Sequence, residues 1–368
     1  MLLFIDGCSH YDTSQLAMKW TTVSSTGVTW SVVTEGRVDG CIRRLASGNT
    51  ARGYLEVAPF ITQGGAWTPT ASGRFGCALK VANLTANGDH AGDDVAGSLF
   101  VVMSGSTPMF GVELNSNGTF TVRNHWTFPG TPALANSIEG LADDAWAYVE
   151  IGWTLHKTSG TVIVRKNGTI ILSYAGPVWP DMYPFPDPVA TWTSIKVLGA
   201  QSQVTPVLDI RMCDVYLCDL TGPLHDDFLG DLIVAYVTPR AIGTYSEWTP
   251  IGEANNWQCQ DDVPPNDETD YVTARVVGKR DSYPFQALAG EPIGMQLCTY
   301  CRTEVSGMAA FVPTARVGGV DYEYATFGIG DTAYTYYLQP IDSNPATPGV
   351  EWTKAIVDAS EFGLTKKG

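Results

Sequence analysis

The sequence predicts an all-β protein in two parts, a jelly-roll sandwich followed by a second, smaller β-sandwich, and three observations predict it. Residues 146–174 read as three antiparallel strands joined by two tight turns. In the first strand Val149, Ile151, Trp153 and Leu155 share one face while Tyr148, Glu150, Thr154 and His156 share the other, which is the period of two of a strand, not of a helix. Lys157 to Gly160 predict one turn, and Asn167-Gly168 predicts the next because both residues tolerate positive φ. Composition agrees, since 38 Gly, 22 Pro, 11 Trp, 16 Tyr and 13 Phe favour strands punctuated by turns over helices. At 368 residues the chain is too long for one ordinary sandwich and suits two domains, and an apolar share of 44 % supplies their cores.

Taken in order, a first strand is expected at Leu2 to Cys8, with strand-like runs at 18–24, 27–33, 53–61, 74–82, 98–104, 108–114, 119–126, 146–156, 161–166, 169–175, 193–199 and 207–219. Roughly a dozen strands suit a jelly roll. Turn signals separate them at Ser72-Gly73, at the acidic loop Asn87 to Asp94, at Asn117-Gly118 and at Pro129-Gly130. A boundary near Thr221-Gly222-Pro223 divides a first domain, 1–222, from a second, 223–368. The second has candidate strands at 231–238, 271–277, 293–303, 307–316, 320–327 and 332–340, a polar, Pro-rich surface loop at Asp261 to Asp270, and a short helix around 354–361.

Acidic residues number 38 against 22 basic, a net charge of −16, which argues against nucleic acid or an anionic membrane as the main partner. Residues 223–368 hold 20 acidic and 9 basic side chains, so most of the excess falls in the second part. No stretch approaches the roughly 18 to 20 apolar residues of a membrane span, and the opening Met1 to Asp6 is too short for a signal core. Synthesis in the cytosol without standard export is the expectation. The cysteines, Cys8, Cys41, Cys77, Cys213, Cys218, Cys259, Cys298 and Cys301, show no framework spacing and are expected as buried free thiols. Cys213 and Cys218, five apart in one strand, point to opposite faces and do not readily pair with each other.

Most catalytic patterns are missing: no G-x-S-x-G, no H-E-x-x-H, no phosphate loop, and no run of carboxylates spaced along one strand as sandwich glycosidases commonly have. The expectation is therefore a protein that is not an enzyme. His10, His90, His125, His156 and His225 are scattered and read as surface or satisfied core residues. Cys298-Thr299-Tyr300-Cys301 has the spacing of half a zinc site without a second pair, so neither a metal nor any cofactor is expected. Asp89, Asp93 and Asp94 form a weak calcium candidate, against which a solvated acidic turn weighs more. Trp67, Trp126 and Trp179 stand in Gly/Pro-rich surroundings as candidate contacts to a glycan or partner protein, with core packing favoured for each one taken singly. Three Asn-x-Thr matches, at Asn83, Asn117 and Asn167, mean little without secretion.

The opening Phe4-Ile5-Asp6-Gly7-Cys8-Ser9-His10-Tyr11-Asp12, followed by Lys19-Trp20, resembles the start of many tailed-bacteriophage virion proteins that carry a concanavalin A-like (laminin G-like) sandwich. Trp146 to Ile151, Val164 to Gly168 and Asp209 to Tyr216 resemble the back half of that domain. Phe228 to Asp231, Gly243 to Thr249, Asn255 to Trp257, Pro264 to Val272, Asn344 to Thr353 and Glu361 to Gly363 are similar to a C-terminal β module recurrent in those phage proteins. The cysteine load departs from the family pattern.

What the resemblance implies is a non-enzymatic structural component of a phage particle, as minor tail, collar or neck appendage, or capsid decoration protein. It would be compact, would bind other virion proteins through its C-terminal module, and would assemble as a homo-oligomer, with a trimer expected. Many weak copies on one particle would gain avidity. The alternative is a carbohydrate-binding adhesin or receptor-binding protein that recognises host surface glycan through Trp126, Trp179 and the Asp89 to Asp94 loop. A depolymerase would need two carboxylates about 5 to 10 Å apart in an open groove.

Overall fold

In the computed structural model, which describes all residues except 47–52, 60–66, 85–94, 125–132, 180–189, 200–207, 306–308 and 331, strand Trp146–Thr154 is central to the first of two facing sheets. It pairs antiparallel with Ser72–Ala82 on one side and His156–Lys166 on the other. Chain reversal into His156–Lys166 spans Leu155 to Gly160, starting two positions before the turn the sequence predicts. At Asn167-Gly168 both residues take positive φ, 49° and 79°, so the expected tight hairpin forms there. The whole sheet runs Thr169–Val178, His156–Lys166, Trp146–Thr154, Ser72–Ala82, Leu208–Asp219, Cys41–Ala46, Val28–Val33, with Leu2–Asp6 also on Leu208–Asp219.

The opposing sheet runs Ala133–Gly140, Thr119–Asn124, Thr107–Asn115, Val95–Ser104, Ser194–Val197, Leu55–Val57, Thr22–Val23. Aromatic rings fill the space between the two: Phe75 and Phe100 lie 5.1 Å apart, Phe100 and Trp153 5.6 Å, and Trp153 and Trp192 5.4 Å. Gly73 stands directly across from Trp153, where a Cβ would meet the indole at 2.3 Å. Glycine there is a packing requirement, not a turn signal.

Further strands follow from Thr249 onward. Arg280–Tyr283, Glu361–Lys367, Ala309–Val317 and Val320–Glu323 make one sheet, with Phe327–Ile329 joined to Ala309–Val317; Met295–Cys301 pairs with Thr335–Ile341, and Thr249–Ile251 with Tyr271–Thr273. Two apolar clusters lie here, one around Trp352 and Phe362 and one around Phe311 and Phe327. Tyr336 and Leu338, by contrast, belong to the sandwich core. The all-β sandwich class is the one the sequence predicts.

Several elements differ from that expectation. Residues 18–24 hold a helical turn, Leu16–Lys19, before a two-residue strand, and it is led in by a 3-10 turn, Thr13–Gln15, whose capping box joins Asp12 and Gln15. Cys41–Ala46 is a strand without a strand-like sequence pattern, because Arg43 and Arg44 break its apolar run; Arg43 pairs with Asp209 on the neighbouring strand at 2.8 Å. Ala133–Gly140, an edge strand of exposed and half-buried residues, and Glu361–Lys367 are further strands that the sequence pattern does not predict. Residues 231–238, expected as a strand, join no sheet, and a sandwich side chain takes up one amide of this stretch: Val234 N donates to Asp214 Oδ1 at 2.9 Å.

One clasp ties the end of Thr335–Ile341 to the chain start. Asp342 Oδ1 accepts from Leu2 N at 2.8 Å and pairs with His225 Nδ1 at 2.5 Å. Burial disfavours a charge on His225, but the hydrogen bond and charge of Asp342 outweigh it and raise its pKa. Burial likewise opposes ionisation of Asp342, and His225, the Leu2 amide and the terminal ammonium outweigh it and lower its pKa. A raised histidine adds stability that is fully present below about 6.5 and is lost as pH rises through the folded value; a lowered aspartate adds stability present above about 3.9 and lost as pH falls through the folded value.

Two outcomes are expected. Gly73→Ala should lose about 1–3 kcal/mol in denaturant unfolding, because the methyl must displace the Trp153 ring; an unchanged midpoint would contradict this packing. The thermal midpoint of the native chain should exceed that of His225→Gln most between about pH 4 and 6.5, and the gap should shrink towards pH 8 and beyond. A gap independent of pH would show that the pair contributes no charge interaction.

Candidate functional site

A strap begins just beyond the sandwich. Phe228 lies under two guanidinium groups, Arg74 at 4.8 Å and Arg165 at 4.0 Å from the ring centroid, and its ring covers Gly152, where any Cβ would strike it at 2.6 Å. Register explains the row beneath: Arg165, Glu150, Gly76 and Tyr216 stand side by side across four strands. Gly76 leaves room for the Tyr216 ring, whose hydroxyl donates to Glu150 Oε1 at 2.6 Å; Gly230 N donates to the same oxygen at 2.8 Å. Leu229 N donates to the Tyr216 hydroxyl at 3.2 Å, and Arg37 holds Asp231 and, at 2.9 Å, the Leu232 carbonyl. The polar outer face of the first sheet thus anchors residues 228–234.

That strap is one wall of a cavity of about 760 Å³, inside the range of small-ligand sites. The loop 259–271 forms a second wall, and the stretch from Leu288 through strand Met295–Cys301 a third, with Phe285 and Phe362 among the apolar lining. Tyrosines line its polar side. Tyr300 and Tyr334 stack with centroids 4.9 Å apart and planes 13° apart; the Tyr300 hydroxyl donates to Asp267 Oδ1 at 2.7 Å and that of Tyr334 to the Asp267 carbonyl at 3.2 Å. Burial, then the hydrogen bond to Asp267, raises the Tyr300 pKa, so the phenol stays protonated as a donor. Tyr236, 36 % exposed, stacks on His10 of the sandwich at 4.8 Å.

Carboxylates complete the lining. Asn266 Nδ2 donates to Asp262 Oδ2 at 2.6 Å and to Asp270 Oδ2 at 3.0 Å, so a single amide holds both side chains together. Burial first, then the neighbouring Asp270, raises the pKa of Asp262. The Gln15 amide reaches the Pro265 carbonyl at 3.2 Å, and Gln296 exchanges two hydrogen bonds with the Ile5 backbone at 3.0 and 3.2 Å, which seats these walls on the sandwich. Apolar walls with stacked phenols, carboxylates and amides suit a polyhydroxylated ligand: rings cover C–H faces, and oxygens accept from hydroxyls.

The tryptophans named from sequence lie elsewhere. Trp67 is 3 % exposed and donates to Asp219 at 2.9 Å, and Trp179 is 3 % exposed within the sandwich core, so neither presents a ring face to solvent. Trp126, Asp89, Asp93 and Asp94 fall outside the described residues. All eight cysteines are free, six of them buried; Cys298 lines the cavity and accepts from Lys19 at 3.6 Å and Gln296 at 3.3 Å. Among the described residues no group of three potential metal ligands forms. Sequence reasoning missed Asp262, Asp270, Tyr300 and Tyr334, having read 261–270 as a surface loop. The available signal was that acidic run together with Tyr300 in one strand and Tyr334 just ahead of a distant second, which only pairing brings together.

No family model matches the chain, and a search of curated proteins found no match. Among solved structures it is similar to the alginate lyase Aly36B (12 % identity, 59 % of this chain and 96 % of that one, TM-score 0.40). It is also similar to a conserved carbohydrate esterase of the Shiga toxin-encoding bacteriophage phi24B (14 %, 60 % and 99 %, 0.37) and to the cellulose induced protein Cip1 (12 %, 53 % and 87 %, 0.36). What each acts on is a property of that protein. Set beside neighbours named as lyase and esterase, the expectation of a purely structural, non-enzymatic particle component is withdrawn, and so is the expectation that the chain is not an enzyme. The glycan-recognising alternative is carried forward in its place.

Phe228→Ala should loosen the strap without disturbing the sheets: exchange of the Leu229, Gly230 and Val234 amides should quicken about tenfold or more while amides of Trp146–Thr154 keep their rate. Equal protection in both proteins would mean the ring does not hold the strap.

Proposed function

We propose that the protein binds carbohydrate in the cavity between the strap and the loop 259–271. The observation that carries this reading is the stacked Tyr300–Tyr334 pair beside Asp267, on the same cavity as Asp262 and Asp270. A sugar ring has apolar C–H faces and a polar hydroxyl rim, and this lining offers aromatic surface next to hydrogen-bond acceptors. Much of the polar lining is held in place before any ligand arrives: Asp267 is fixed by two phenols, and Asp262 and Asp270 by Asn266. Preorganisation of this kind lowers the ordering cost of binding.

The setting we propose is a receptor-binding component of a tailed-phage particle, assembled as a homotrimer and directed at host surface glycan. Its support is the resemblance carried by Phe4 to Asp12 and Pro264 to Val272. Several weak sites on one particle would then act together through effective concentration.

Tyr334→Ala should weaken binding of oligosaccharides selected on a glycan array by about tenfold or more, measured by calorimetry on the full chain, with the thermal midpoint of the sandwich unchanged. Unaltered affinity would place the ligand elsewhere.

A further inference from the structure

We infer that the cavity holds a reactive thiol: Cys298 takes up neutral conjugated carbonyl compounds as covalent thioethers. This goes beyond the sugar reading and does not depend on it. Cys298 is partly exposed and lines the cavity from strand Met295–Cys301, and its Sγ accepts from Lys19 Nζ at 3.6 Å and from Gln296 Nε2 at 3.3 Å. Both donors are fixed by other partners. Gln296 also donates to the Ile5 carbonyl at 3.0 Å. Lys19 is buried, with its ammonium 2.8 Å from His10 Nε2 and 3.7 Å from Asp6 Oδ1. Burial, then the charge of Lys19, pushes the His10 pKa well down, so its neutral ring accepts at Nε2; Tyr236 stacks on that ring and Tyr336 meets it edge-on. An ammonium and an amide aimed at one sulfur hold negative charge there, and the thiolate is the nucleophilic form of cysteine.

The chain supplies its own control. Cys301, three residues on in the same strand, packs on the Phe311–Phe327 cluster while Cys298 packs on the sandwich core, so the two face opposite ways. Burial pushes the Cys301 thiol up to about 12 and likewise raises the thiols of Cys8, Cys41, Cys77, Cys213, Cys218 and Cys259. These seven stay protonated and inert. The rings of Tyr236, Tyr300, Tyr334 and Tyr336 line the same cavity as Cys298 and offer flat surface to a planar, conjugated molecule. In the step, Sγ bonds the β-carbon of an enone, the C=C π pair moves to form the enolate, and the α-carbon takes the proton that the thiol gave up. No group leaves and nothing is oxidised.

The experiment maps alkylation of the native full chain by peptide mass spectrometry. Iodoacetamide should label Cys298 about tenfold or more faster than Cys301. Benzylideneacetone, a neutral aryl enone, should add its whole mass at Cys298 and at no other cysteine, about tenfold or more faster than it adds to free cysteine. Lys19→Met should slow labelling of Cys298 about tenfold at an unchanged Cys301 rate; because that change removes a buried lysine, Gln296→Met is the second variant and should slow it about threefold. Cys298 labelled no faster than Cys301, the enone spread over several cysteines, or Cys298 rates unmoved in both variants would each overturn the inference. The comparison within the native chain decides even where neither variant folds. Failure of every oligosaccharide to bind would leave these rates as they are, so the sugar reading and this one fail separately.

Discussion

One oxygen of Glu150 fixes the strap to the outer face of the first sheet. Wholly buried, it accepts from Tyr216 within the sheet and from Gly230 in the strap, so a carboxylate on the sandwich surface becomes the point at which the chain leaving Leu208–Asp219 is fixed. A buried acceptor deprived of its donors costs about 1–3 kcal/mol, which makes the strap's course over this face the low-energy one. Gly76 and Gly152 are the sequence conditions for it, since side chains there would displace the Tyr216 and Phe228 rings.

With the strap placed, the remaining walls follow from contacts of the same kind. Gln296 pairs with the Ile5 backbone, Gln15 holds Pro265, and Tyr336 and Leu338 join the aromatic core of the sandwich. Asp267 is drawn over the Tyr300–Tyr334 stack by their hydroxyls. The cavity is the space these attachments leave open.

The acidic character of that space is costly to the free protein, because like charges at close range repel. Asn266 and the phenol of Tyr300 moderate the repulsion by donating to Asp262, Asp270 and Asp267, but they add no charge.

Alternation in 146–154 and the Asn167-Gly168 turn made the central hairpin legible in the sequence, because strand period and positive φ are local properties of neighbouring residues. The all-β class and the acidic surplus were legible for the same reason: each is a sum over the chain that no fold can alter. Strand Cys41–Ala46 and the unpaired course of 231–238 were not, since a buried Arg44 and an amide bonded to a sandwich side chain depend on partners far along the chain. Trp67 and Trp179 looked like surface aromatics by their neighbours in sequence, yet both pack into the core. Asp262, Asp270, Tyr300 and Tyr334 lie in segments that carry no shared motif. Sequence by itself determined which stretches alternate and turn; only the tertiary structure decided which side chains meet around one cavity, because that depends on long-range register and packing rather than on spacing along the chain.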